Sequence, residues 1–138
     1  MNYLIILLSL LFISPSSEKK VLTLNITNIE TIKGTIEIGI FNTNERFLEE
    51  GQAYKTTSVK VTADKHTVVF KDLPPGNYAV SMYHDVNADG ECNRNFMGIP
   101  KEPYGFSNNF RPRFSAPTFK DCEFTLDSNK TLKIELKG

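Results

Sequence analysis

Apolar residues recur at every second position in short runs, and this alternation restricts the possible folds more than anything else in the chain. Leu22, Leu24 and Ile26 alternate with Thr23, Asn25 and Thr27 in Val21–Ile29, and Ile36, Ile38 and Ile40 repeat the pattern in Gly34–Phe41. A period of two sends successive side chains to opposite faces, so each run predicts a half-buried strand. The short ETIKG turn between the two runs predicts a hairpin. Lys55–Val61 and His66–Phe70 read as further strands. After the Pro74-Pro75-Gly76 turn signal, Tyr78, Val80 and Met82 share one face and Ala79, Ser81 and Tyr83 the other. Thr118–Leu126 carries Phe119, Phe124 and Leu126 with a break near Lys120 and Asp121, and Leu132, Ile134 and Leu136 mark the last strand. Asn42–Tyr54 loses the alternation; it predicts one helical turn capped by Asn44 and ended by Gly51, with Phe47 and Leu48 against a sheet edge. About seven short strands with regular turn signals, and no long helical period, predict an all-β antiparallel β-sandwich of immunoglobulin-like or transthyretin-like type. The chain has no Trp, so the Cys–Trp–Cys core of antibody domains is excluded.

The first 17 residues carry no charge and hold an apolar run from Tyr3 to Ile13, interrupted only by Ser9 and followed by Ser14, Ser16 and Ser17. The run is short for a membrane span and suits the apolar region of a signal peptide, which predicts export, to the periplasm or beyond, and one domain over residues 18–138. The alternatives are an uncleaved anchor or a first strand. Lys+Arg and Asp+Glu number 16 each, so the net charge is zero. That balance offers no footprint for nucleic acid and no polybasic membrane patch. The two cysteines, Cys92 and Cys122, are expected to pair in an exported chain, the alternative being two free thiols. A Cys92–Cys122 bond would tie the long connection described next to the strand after it, at a gain of about 3–4 kcal/mol.

That connection, His84–Asn109, is the exception to the strand pattern. Its length is uncommon inside a small domain and points to function or disorder. Phe96, Met97, Ile99, Tyr104 and Phe106 interleave with its polar residues, which predicts an ordered loop. Asp85, Asn87 and Asp89, followed by Gly90, have the D-x-N-x-D-G spacing of a calcium loop, in which alternate side-chain oxygens wrap a hard cation and the glycine permits the turn. Asn93 stands at the ninth position and Glu91 is a further carboxylate. Phe96 occupies the twelfth position, where a bidentate Glu is usual, so any calcium held here would bind in the weak extracellular class, about 10⁻⁴–10⁻³ M. A metal-free stack of Asx-turns fits the same residues.

His84, with Asp85 and Glu102, raises the alternative of a small metal-dependent hydrolase, although no G-x-S-x-G or H-E-x-x-H motif accompanies it. The bland reading has His84 bonded to a loop carbonyl. Tyr104, Phe106, Phe110 and Phe114, with Arg111 and Arg113 between the last two, suit a platform for a glycan, a peptide or a protein partner. The bland reading has these aromatics capping the open end of the sandwich. His84, Glu102, Tyr104, Phe106 and Asn108 are the candidate ligand-binding residues.

Two strings carry a family resemblance: DLPPGNYAVSMYHDVNADG, Asp72–Gly90, and MGIPKEPYGFSNN, Met97–Asn109, the latter followed by PTF at Pro117–Phe119. With them the chain resembles the bacterial exported-protein family known as domain of unknown function 2141, over nearly all of residues 18–138. The resemblance implies a small exported β domain and no particular reaction. The combined expectation is a non-enzymatic exported module that binds a ligand or partner through residues 84–114.

Overall fold

A computed structural model describes residues 18–88 and 102–138. Strand β1 (Lys20–Thr27) lies between β4 (His66–Leu73) and β8 (Lys130–Glu135) in a three-stranded sheet. The second sheet runs β3 (Lys55–Lys60), β2 (Thr35–Phe41), β5 (Gly76–Asp85) and β6 (Tyr104–Phe106), and β7 (Phe124–Leu126) pairs with β5 as well. The chain is a two-sheet β-sandwich, as the alternation predicts. Leu22, Leu24 and Ile26 from one sheet and Ile36, Ile38 and Ile40 from the other are all at most 2% exposed and belong to a single buried cluster.

The expected hairpin of the first two strands does not form. Both runs do become strands, but they lie in different sheets. The connection between them crosses the end of the sandwich: Ile29 is buried, its N–H donates to the Asp64 carbonyl, and the Asn28 side chain donates to the Leu136 carbonyl. Gly34, at φ +72°, ends the crossing where a Cβ would stand 2.1 Å from the Asp85 carbonyl oxygen, so only glycine fits. A second departure concerns direction. β1 and β8 pair in parallel, from Leu22 with Lys130 to Thr27 with Glu135. The rest of the chain serves as the long crossover that a parallel pair requires.

A smaller apolar cluster covers the outer face of the larger sheet. Phe41, Ala79, Tyr104 and Phe106 on that face pack with Phe47 and with Phe119 and Cys122 of a short helix, α1 (Phe119–Cys122). The Phe47 ring meets Phe41 at 5.3 Å and Phe119 at 5.9 Å, both edge-on. Residues 44–48 form turns rather than the expected helical turn, and the Thr43 hydroxyl, not Asn44, accepts the Arg46 N–H. Phe47 and Leu48 do pack against the sheet. The break near Lys120 and Asp121 is α1 itself. Its Thr118 hydroxyl accepts from the Asp121 N–H while the Asp121 carboxylate accepts from the Thr118 N–H.

Candidate functional site

The described part of the long connection begins on β5 and ends on β6, so its roots are strands rather than loop. His84 and Asp85 close β5 and are 1% and 2% exposed. The His84 N–H donates to the Pro103 carbonyl at 2.7 Å, and its Nε2–H donates to the Lys33 carbonyl at 2.7 Å. The imidazole therefore locks the inter-sheet crossing to the loop root, which is the bland reading of this residue. A turn follows, with the Ala88 N–H donating to the Asp85 carbonyl. Asn87 is exposed. Asp89, Glu91 and Asn93, the remaining candidate calcium ligands, lie outside the described residues, as does Cys92. Among the described residues no three His, Cys, Asp or Glu side chains gather as a metal site, and His84, Asp85 and half-buried Glu102 are among those residues.

The far end of the connection, Tyr104 to Asn109, reads YGFSNN, and each residue has a place in a bracket that joins the two sheets. Tyr104 and Phe106 pair with Tyr83 and Ser81 and are 8% and 2% exposed in the smaller cluster. Their rings face protein, not solvent. Gly105 lies opposite Met82, on the inner face, where a Cβ would stand 2.7 Å from Ile134. A side chain there would push β8 away. The Tyr104 N–H and C=O exchange 2.8 Å hydrogen bonds with Lys137, which closes the corner between the sheets.

Ser107 fills a gap in the ladder. Along one edge of β5, β7 pairs with residues 76–78 and β6 with residues 81–83, and Val80 falls between them. The fully buried Ser107 hydroxyl accepts from the Val80 N–H at 2.9 Å and donates to the Cys122 carbonyl. Without it a buried N–H would lose its partner, at a cost of about 1–3 kcal/mol. Asn108 and Asn109 sit at φ 64° and 48°, the left-handed region that Asn tolerates better than most residues. The Asn108 amide donates to the Asp121 and Glu123 carbonyls. Asn109 imitates a strand: its amide donates to the Lys133 carbonyl at 3.1 Å and its Oδ1 accepts from the Glu135 N–H at 2.9 Å. Arg111 adds a bond from Nη1 to the Glu135 carbonyl. The edge of β8 not taken by β1 is thereby covered, which blocks pairing with other chains.

Cys122 is a free, fully buried thiol. The expected Cys92–Cys122 bond is not formed in the structure. Burial, and then the Asp121 carboxylate beside it, pushes the Cys122 thiol up to about 12. A thiol held neutral in this way is a poor nucleophile.

Beyond the bracket the chain changes character. Phe110 packs on the smaller cluster, whereas Phe114 is 80% exposed. A groove of about 380 Å³ opens here, lined by Phe110, Arg111, Pro112, Arg113 and Phe114 together with Thr118 and Asp121. Of the sequence-derived candidates, Tyr104, Phe106 and Asn108 hold the structure up, while Phe114, Arg111 and Arg113 face the groove.

No curated protein and no solved structure matches the chain. A family model described as an uncharacterized protein conserved in bacteria, DUF2141, matches residues 24–135. That span runs from β1 to the end of β8 and takes in the whole bracket, so the chain belongs to the DUF2141 family.

Proposed function

We propose that the chain is an exported, non-catalytic β-sandwich module that binds a protein or glycan partner through residues 84–114 and the groove beside them. In this reading calcium, held by Asp85, Asn87, Asp89, Glu91 and Asn93, braces the long connection. One observation carries the proposal. Two side chains with catalytic potential on the described part of this face, His84 and Ser107, are buried and bonded to backbone groups, while Phe114 and Arg113 are exposed beside the groove. A binding surface needs only such preorganisation, whereas an enzyme needs converging reactive groups. The uncharged apolar leader supports export. The alternative, a metal-dependent hydrolase on His84, Asp85 and Glu102, has less support, because His84 Nε2 is already bonded to Lys33.

Site-specific photocrosslinking in a bacterial host tests the proposal. A benzophenone amino acid replaces Phe114 in one variant and Val69 in another. Val69 is 48% exposed on the outer face of the three-stranded sheet and serves as the control. Discrete adducts from position 114 that are absent from position 69 are expected. Equal labelling from both positions, or adducts from position 69 alone, would remove the groove from the reading.

A further inference from the structure

The geometry points to an extended, acidic peptide segment of a partner protein as the occupant of the groove at Phe110–Asp121. This inference rests on the binding role proposed above and names the chemistry of the partner.

Three observations support it. The first is charge. Arg113 makes no hydrogen bond or ion pair among the described residues, and Arg111 uses one guanidinium nitrogen on the Glu135 carbonyl, which leaves most of its five N–H donors unused. The carboxylate in the groove, Asp121, already accepts the Thr118 N–H as a helix cap. In a chain of zero net charge, this groove thus presents two guanidinium groups beside one carboxylate, a local excess of positive charge. Planar guanidinium forks match carboxylates two bonds at a time.

The second observation is the backbone. From Arg111 to Ala116 no main-chain group pairs with another main-chain group among the described residues. The chain bends at residues 113–115, and residues 111–116 line the groove without joining a ladder. Main-chain groups left outside a ladder are open to hydrogen bonds from the backbone of a peptide. The third is the apolar lining. Phe110, Pro112 and Ala116 accompany the exposed Phe114 ring. In an extended ligand, alternate side chains point to opposite sides, so carboxylates reach the arginines while the apolar side chains between them meet the rings.

Fluorescence anisotropy on the purified protein tests the inference with three probes: labelled Glu-Leu-Glu-Leu-Glu-Leu, its Lys-for-Glu counterpart, and a labelled oligogalacturonate. The acidic peptide is expected to bind saturably and to weaken with rising salt. Arg113→Glu is expected to weaken it about tenfold or more and to bind the lysine peptide better than the original protein does. Phe114→Ser should weaken the acidic peptide without that inversion. Both positions are exposed, and far-UV circular dichroism checks that both variants fold. Equal binding of the two peptides, preference for oligogalacturonate, or no saturable binding of the acidic peptide would overturn the inference. If position 114 still crosslinks in cells while the acidic peptide fails to bind, the surface stands and only its assigned chemistry falls.

Discussion

Buried polar atoms on this face act as fasteners, and Cys122 shows what that means for a single residue. Its thiol is raised to about 12 from an ordinary value of 9.0, so the folded chain keeps a proton that the unfolded chain releases above pH 9. The contribution of this thiol is therefore fully present below about pH 9 and is lost as pH climbs from there toward 12, by about 1.4 kcal/mol per pH unit. Tyr78 adds a loss of the same sign at higher pH, because burial and then nearby Tyr54 raise its phenol. Urea midpoints measured from pH 7 to pH 10.5 should drop beyond pH 9, and Cys122→Ala should flatten the first part of that drop. Parallel profiles for the two proteins would show that Cys122 does not titrate on unfolding. Little of this was legible in the sequence. Nothing in the sequence marks Ser107 as a plug, because the gap opposite Val80 exists only once β6 and β7 lie end to end along β5. The aromatics of YGFSNN likewise read as a platform or as core until Tyr83 and Ser81 bring them onto the covered face.

At the scale of elements, alternation identified strands well because it records which side chains face apolar surroundings. It carries no information about which strand lies alongside. β1 and β2 have the same pattern whether they pair in one sheet or face each other across the core, and a short connection favours the hairpin on local grounds alone. Asn28, Ile29 and Gly34 decide the matter through contacts with residues far along the chain. The long connection is the other element with two readings, and calcium separates them. If the Asp85–Asn93 segment binds at about 10⁻⁴ M, then ~10 mM calcium stabilises the protein by about 2.7 kcal/mol and raises the melting temperature by several degrees. Thermal scans with calcium, with EDTA and with equal magnesium should show a calcium-specific rise that Asp89→Ala removes. Coincident scans would leave the Asx-turn reading in place.

For the whole molecule, the ends of the sandwich matter most, since the first strand depends on the last. β8 supplies one of the two neighbours of β1, and Ile134 and Leu136 are at most 1% exposed in the main core. Truncating either side chain to Ala would cost about 2–5 kcal/mol, so losing both approaches the 5–15 kcal/mol that holds a typical domain together. The bracket would fail as well, because Asn109, Arg111 and Tyr104 all anchor on residues 133–137. A chain ended at Asn129 should therefore lose cooperative unfolding in urea and fall to limited proteolysis, although the strands that precede β8 remain in it. Residues 18–138 should unfold in one transition seen alike by fluorescence and far-UV circular dichroism. A cooperative transition in the shortened chain would mean that the five-stranded sheet and its outer cluster form a stable unit alone. The groove would then stand on that sheet, independent of the sandwich behind it.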